Sequence, residues 1–282
     1  LNTEISVVIP FYNGLGTVGE LVSRVTSVCV SHELPFQIII VDDSGKPSLS
    51  SDLQRIFKKH EYVSVFSLHK NIGQHAATFI GILHCGKTSV VTMDEDLKFI
   101  PEDIPVLLQM LGDNDLVYGL VPRNGTVGMF REFVLGVLKP MISTRYPKRT
   151  SSFRLISSKT VEELKRLRPR YIQMEAMLIQ NCKHFEYCEV EDQHGKSRES
   201  GYSSLSLYLM ISGMLSHYTW VPWIGISIII PALTSAIVDA EIWKVALMSV
   251  LSLMSVINIY GEIKNVIRNR ATKKELKRLG NI

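Results

Sequence analysis

Apolar positions fall along the first part of this chain in short runs separated by longer amphipathic stretches. The compact runs are Ile5–Pro10, Phe36–Val41, Val63–Leu68, Ser89–Met93 and Leu116–Leu120. Runs this brief and rich in Val and Ile predict buried strands. Between them, Val18–Val30, Leu49–Lys59, Gln74–Cys85 and Ile104–Leu111 place apolar residues at helical spacing. The alternation predicts an α/β fold, a mostly parallel sheet with helices on both faces. A helical pattern then covers Val127–Tyr146, and Ser152–Ile156 is strand-like. Ser157 or Ser158 can cap a helix through Leu167, and Met174–Cys182 suits another.

Beyond residue 200 the pattern changes. No residue from Ser200 to Val238 carries a formal charge. Ser204–His217 reads as an interfacial helix, with Leu205, Leu209, Ile211 and Leu215 among small polar residues. Asp239, Glu241 and Lys244 interrupt, and Val245–Gly261 is apolar again. A bilayer core takes about 20 mostly apolar residues per helix, so two spans are predicted, near Tyr218–Val238 and Ile242–Ile263. Trp220, Trp223 and Trp243 suit an interfacial belt. Ser, Thr and Asn within the runs keep open a helical hairpin buried in a soluble core. The expected division is a main domain over 1–200, a juxtamembrane segment over 201–217, a transmembrane hairpin over 218–263 and a basic tail over 264–282.

Charge sharpens this division. The 282 residues carry 31 Lys and Arg against 27 Asp and Glu, a net +4. Lys264, Arg268, Arg270, Lys273, Lys274, Lys277 and Arg278 face only Glu275 in the tail, a local +6 that leaves residues 1–263 at −2. No basic stripe marks the main domain as a nucleic-acid binder. Basic residues flanking a span mark the cytoplasmic side, so the main domain and the tail are both expected there. Cys29, Cys85, Cys182 and Cys188 have neither metal-ligand spacing nor a disulfide framework. No signal-peptide pattern precedes the first strand, and a chain opening on Leu1 is expected to lack its native start.

Candidate chemistry sits where the predicted strands end, the place where open α/β sheets bind ligands. Asp94-Glu95-Asp96 follows the run Ser89–Met93. Carboxylates two residues apart can share one hard cation, and Mg²⁺ or Mn²⁺ there would bridge a diphosphate. A solvated acidic turn is the bland alternative. Asp42-Asp43-Ser44 ends the second run, where carboxylates can hold a base or ribose, or form an Asx turn with Gly45 and Pro47 nearby. Both readings stay open. Gly14-x-Gly16-x-x-Gly19 matches a dinucleotide fingerprint. However, Phe11, Tyr12 and Asn13 separate it from Pro10, and it leaves the Asp-x-Asp loop unexplained. There is no Gly-x-Ser-x-Gly elbow and no His-Glu-x-x-His.

Taken in order, several segments resemble the family 2 glycosyltransferases of the GT-A fold, and among them the dolichyl- and polyprenyl-phosphate sugar synthases. They are Val7–Pro10 with Tyr12-Asn13, Val41–Ser44, Asn71-x-Gly73 with Ala76-Ala77 and Gly81, Met93–Leu97 with Pro101–Pro105, Ser152–Leu155, and Ser200–Tyr202 before the hairpin. The resemblance covers nearly all of residues 5–263. It implies that Pro10, Tyr12, Asp42, Asp43, Asn71 and Asp94 hold the nucleotide-sugar. It implies that Asp94 and Asp96 bind a metal–diphosphate, Asp96 acting in catalysis. Arg123, Arg131, Arg154 and Arg198 become candidates for the acceptor phosphate and the leaving diphosphate, with Arg154 foremost and Arg131 last.

The chain departs from the family pattern at several points. Gly14 stands where Glu often follows Tyr-Asn, and Lys98 where a Gln or similar residue follows Asp-x-Asp-Leu. Thr150-Ser151-Ser152 offers no carboxylate where many relatives carry Asp. Lys196 and Arg198 compete for one family Arg position. An alcohol acceptor requires a general base, whereas a phosphate monoester, with its second pKa near 6, arrives as an anion able to attack. The expectation is an inverting glycosyltransferase that moves one sugar from a UDP- or GDP-linked donor to a polyprenyl phosphate. It would use Mg²⁺ or Mn²⁺ at the cytoplasmic face of a membrane. In a bacterium this is the inner membrane with undecaprenyl phosphate as acceptor. Association into a homo-oligomer stays open. The competing expectations are transfer to a lipid-linked glycan hydroxyl, an NAD-linked oxidoreductase and a non-catalytic membrane adaptor.

Overall fold

The computed structural model describes residues 4–122, 149–167, 172–191, 263 and 266–279. Seven strands form one sheet: β1 Ile5–Phe11, β2 Phe36–Asp42, β3 Val63–Ser67, β4 Ser89–Thr92, β5 Leu116–Leu120, β6 Arg154–Ile156 and β7 Phe185–Glu189. The helices are α1 Leu15–Ser31, α2 Pro47–Phe57, α3 Gln74–Leu83, α4 Ile104–Leu111, α5 Ser158–Arg166 and α6 Met174–Asn181, with a 3₁₀ turn at Pro101–Asp103. A final helix, α7, is described over residues 266–278. The sheet order is β3-β2-β1-β4-β6-β5-β7, and only β6 runs against the rest. The α/β architecture and the mostly parallel sheet match the sequence expectation.

The near-continuous apolar strands follow from burial on both faces. Successive side chains point to opposite sides, so one strand feeds two cores. Ile5, Val7, Ile9 and Phe11 of β1 join Ile38 and Ile40 of β2 in a core covered by α1, α2 and α4. Val8, Ile39 and Val41 point the other way, into a core covered by α3, α5 and α6. Local signals set the helix starts. Pro47 opens α2, and the Ser157 hydroxyl accepts from Thr160 N at 3.3 Å to cap α5. β7 lies outside the predicted elements, because Glu186 and Glu189 break its apolar pattern. It is held by parallel pairing with β5.

Leu1–Ser197 with Ala271–Ile282 form one compact unit, and Arg198–Arg270 another. Residues 264–282, expected to be a separate basic tail, are not wholly separate, since the later turns of α7 pack within the first unit. Leu276 is buried in the second core, and Thr272 and Glu275 are also buried. Arg278 Nε donates to Glu275 at 3.0 Å, His69 Nδ1 lies 3.4 Å from the same carboxylate, and Arg278 also donates to the Ser67 carbonyl. The apolar stripe was hidden among lysines. The expected spans lie outside the described residues except for Ile263, as do the Val127–Tyr146 helix and the interfacial Ser204–His217 segment. Among the described residues no helix is long and apolar enough to cross a membrane.

Strand order reverses between β1 and β4. The chain proceeds outward from β1 through β2 to β3, then returns to β4 on the other side of β1. Such a switch point opens a crevice beyond the carboxyl ends of the two strands.

Candidate active site

Tyr12 and Asn13 leave β1 at that crevice, and Asp94, Glu95 and Asp96 leave β4 beside them. Tyr12 is 54% exposed. Pro10, half-buried, pairs in register with Val41 of β2. The exposed Tyr12 ring offers an aromatic face on which a planar base can lie.

The next wall comes from the end of β2. Asp42 and Asp43 are buried, and both carboxylates bind their own chain. Asp42 accepts from Ser44 N at 2.9 Å, an Asx turn, and from the Ser50 hydroxyl. Asp43 accepts from Ile72 N at 2.6 Å and Gly73 N at 2.8 Å. Asn71 Nδ2 donates to the Asp43 carbonyl at 3.1 Å. The loop after β3 is therefore tied to the end of β2, and Gly73 adopts φ 93°, a left-handed value that favours glycine. Asp42 thus forms the Asx turn and Asp43 ties down the Ile72–Gly73 loop, while Asn71 stands at the exposed rim.

The Asp94–Asp96 loop turns on Leu97, whose φ of 57° is unusual for a residue other than glycine. Burial of the Leu97 side chain in the first core holds that turn. Asp94 accepts from Gln74 Nε2 and from the Ser152 hydroxyl, the latter at 2.6 Å. Asp96 Oδ1 accepts from Lys98 N at 3.1 Å. Burial pushes the Asp94 carboxyl above its ordinary pKa. Ser152 counters this, the neighbouring Asp96 adds to it, and Arg154 and Lys98 oppose it.

Arg154 corrects the sequence expectation. It was foremost among the candidates for an acceptor phosphate, but it is 3% exposed. Its Nε donates to Thr92 Oγ1 at 3.2 Å and its Nη1 pairs with Glu175, which also accepts from Tyr118 at 3.0 Å. Thr92 donates in turn to the Ser152 carbonyl at 2.5 Å. A guanidinium so enclosed supports the site from below. It braces β6, which begins two residues after Ser152, against β4, and its field reaches Asp94. Arg123, Arg131, Lys196 and Arg198 lie outside the described residues. Arg149, which the sequence reading passed over, is half-buried at the same edge and donates to the Val121 carbonyl at 2.7 Å.

Asp94 and Asp96 fit a hard divalent cation. They offer oxygen donors, and a cation would relieve the charge crowding that helps to raise Asp94. Among the described residues no group of three or more His, Cys, Asp or Glu forms a metal cage. The cation's other ligands would therefore come from a diphosphate and water, the usual habit of Mg²⁺. The dinucleotide fingerprint finds no support in the packing. Its glycines should allow close helix–strand approach, but Gly16 and Gly19 are exposed on α1 and a Cβ on either would meet nothing within 4 Å.

The profile of glycosyl transferase family 2 matches residues 6–174. The chain belongs to that family. Its undecaprenyl-phosphate 4-deoxy-4-formamido-L-arabinose transferase relatives from Salmonella choleraesuis (strain SC-B67) and Salmonella paratyphi B are 30% identical over 140 residues. That is 49% of this chain and 43% of theirs, so the chain spans less than half the length of the curated relatives it matches. Among solved structures, glucosyl-3-phosphoglycerate synthase from Mycobacterium tuberculosis, with Mn²⁺, UDP and phosphoglyceric acid, aligns at a TM-score of 0.53 and 18% identity. The alignment covers 78% of this chain and 80% of that one. The mannosyltransferase PcManGT from Pyrobaculum calidifontis, with GDP-Man and Mn²⁺, aligns at 0.51 and 13%, covering 99% and 76%. At these identities the likeness is one of fold, the GT-A arrangement.

Around the candidate site the sequence pattern did not single out Gln74 and Ser152 on Asp94, Glu95 on Tyr12 and Asn13, or Glu175 and Tyr118 beneath, at Arg154. Gln74 opens a helix directly after the quoted Asn71-x-Gly73, and Ser152 stands within the quoted Ser-Phe-Arg-Leu segment. Both were therefore within reach. Glu175 and Tyr118 carry no local signal.

Proposed function

We propose that this family 2 protein moves one sugar from a UDP- or GDP-linked donor to a polyprenyl phosphate at the cytoplasmic face of a membrane. The observation that carries this reading is the pair Asp94 and Asp96 at the switch-point crevice, next to the exposed Tyr12. One end of the crevice suits a base and the other a diphosphate. The relatives are named for undecaprenyl-phosphate transfer, and the solved structures hold UDP or GDP-mannose with Mn²⁺. The uncharged stretches between residues 200 and 263 suit a lipid acceptor.

Tyr12 and Pro10 would flank the base, with Asp42, Asp43 and Asn71 shaping the wall around the ribose. Mg²⁺ or Mn²⁺ on Asp94 and Asp96 would neutralise charge on the departing diphosphate. The acceptor supplies its own nucleophile. A phosphate oxygen forms a bond to the anomeric carbon as the bond from that carbon to the diphosphate oxygen breaks, with inversion. Thr150–Ser152 contain no carboxylate to act as base. Ser152 is engaged with Asp94, and Ser151 Oγ accepts from Phe153 N at 3.1 Å. What remains for the protein is orientation and charge neutralisation, for which Arg123, Arg198 and Arg149 are the cationic candidates.

Titration of the full chain in detergent with UDP, GDP and NAD⁺, each with and without Mn²⁺, tests the donor site. Saturable, Mn²⁺-dependent binding of UDP or GDP that Asp96→Ala abolishes is expected. Binding of NAD⁺ in preference to both would overturn the reading in favour of an oxidoreductase.

A further inference from the structure

Glu95, the middle residue of the acidic triplet, turns away from its neighbours and across the crevice. Its Oε2 accepts from Tyr12 N at 2.9 Å and its Oε1 from Asn13 N at 3.0 Å. On the same side, the Thr17 hydroxyl donates to the Glu95 carbonyl at 2.7 Å. Two charge-assisted hydrogen bonds from the loop after β1 and a third from the first turn of α1 thus tie that side of the crevice to the loop after β4 across more than seventy positions of sequence. The chain leaves room for this side chain at one point. A Cβ on Gly14 would stand 2.8 Å from Glu95 Cδ, 2.9 Å from Glu95 Cγ and 2.9 Å from Thr17 Oγ1. The Glu95 carboxylate occupies the volume that any side chain at position 14 would claim. Glycine is needed there for space, since the backbone at Gly14 has an ordinary φ of −85°.

We propose that Glu95 is a positioning residue that fastens the base-binding wall, Tyr12–Asn13, to the diphosphate loop, Asp94–Asp96. The two halves of the donor site then hold one fixed separation. The inference rests on the donor-site reading above. Sequence adjacency would suggest that Glu95 works beside Asp94 and Asp96 as a third acidic group on the cation. The geometry gives it a different partner, the backbone of the opposite loop. A ligand that spans both loops gains from their fixed spacing, because the protein has already met the cost of ordering them. A ligand that touches only one loop gains little. Gly14 is the second half of the device. Any side chain there must displace Glu95, whose carboxylate end is the movable partner.

The test compares UDP with Mn²⁺ against uridine alone, in Glu95→Ala and in the unaltered full chain. The latch predicts that UDP affinity falls roughly tenfold while uridine affinity changes less than about twofold. Equal losses for both, or no loss for UDP, would overturn it. A stability cycle of Gly14→Ala, Glu95→Ala and the double variant needs no nucleotide. Displacement of one residue by the other predicts strong non-additivity in melting temperature, with Gly14→Ala costing less once Glu95 is gone and only the Thr17 hydroxyl, 2.9 Å from the added Cβ, is left to shift. Additive effects would overturn the latch. If the unaltered chain binds neither UDP nor GDP, the functional reading fails, and this cycle still decides whether Glu95 and Gly14 act as one device.

Discussion

Arg154 and Glu175 form an ion pair beneath the strand ends, with 4% and 14% of their side chains exposed. Burial works against the Arg154 charge, and Glu175 together with Tyr118 and Asp94 more than offsets it, so the guanidinium pKa stands above its ordinary value. Removing one partner strands the other in the core. Glu175→Ala is expected to cost about 3–5 kcal/mol, whereas Arg154→Met with Glu175→Leu recovers most of that loss. Urea unfolding checks this through the midpoint at constant slope. A Glu175→Ala cost below about 1 kcal/mol, typical of an exposed pair, would contradict the buried-pair account.

Asp43 fastens the loop after β3 through Ile72 N and Gly73 N. Asp43→Ala leaves two donors without their carboxylate, an expected loss of about 2–3 kcal/mol. Amide exchange localises the effect. The Ile72 and Gly73 amides should lose protection, while amides of α1, on the opposite face of the sheet, keep theirs relative to global stability.

Asp94 carries a stability cost, because burial raises its carboxyl pKa. Its folded pKa is raised above the ordinary 3.8, so the folded chain holds that proton more tightly than the unfolded chain. Stability therefore declines as pH rises from 3.8 through the folded value, and at neutral pH the full cost is present. Asp94→Asn removes the charge and keeps a hydrogen-bonding side chain for Gln74 and Ser152. The variant should melt no lower than the parent at pH 7, and any advantage should vanish below pH 3.8. Its Mn²⁺-dependent affinity for UDP should fall by roughly 10–100-fold. Melting curves at the two pH values and a UDP titration check both halves.

The four cysteines are free and buried. Burial pushes Cys29, Cys85 and Cys188 up to about 11, and Cys182 to about 12. At pH 8 roughly one such thiol in a thousand, or fewer, is a thiolate. Iodoacetamide at pH 8 should leave all four unlabelled in the native chain and label all four in urea, as mass spectrometry would show. Unfolded thiols ionise near 9, and the folded ones hold their protons until about 11. Unfolding thus releases protons in that window, and melting temperature should fall as pH rises from 9 to 11.

The sequence carried the sheet and the acidic loop because both have local signatures. Ile5–Phe11 and Phe36–Asp42 are apolar on both faces, and Asp94 and Asp96 follow a buried run directly. The supports of that loop have no such signature. Gln74 and Ser152 reach Asp94 across 20 and 58 positions, contacts that only the topology creates. The burial of Arg154, a phosphate candidate by resemblance, was not legible because its partners, Glu175 and Tyr118, come from a helix and a strand distant in sequence. Glu186 and Glu189 masked β7. Thr272 and Leu276 were lost among the basic residues of α7, although they seat its later turns against the core.

Sugar transfer to a lipid phosphate can be read in a single reaction. The full chain in detergent is incubated with Mn²⁺, undecaprenyl phosphate and a panel of UDP- and GDP-sugars, and the lipid fraction is read by mass spectrometry. One new species is expected, undecaprenyl phosphate heavier by a single sugar residue, that forms with one donor of the panel and disappears with Asp96→Ala. Transfer to undecaprenol or another free alcohol, with undecaprenyl phosphate left unmodified, would contradict it.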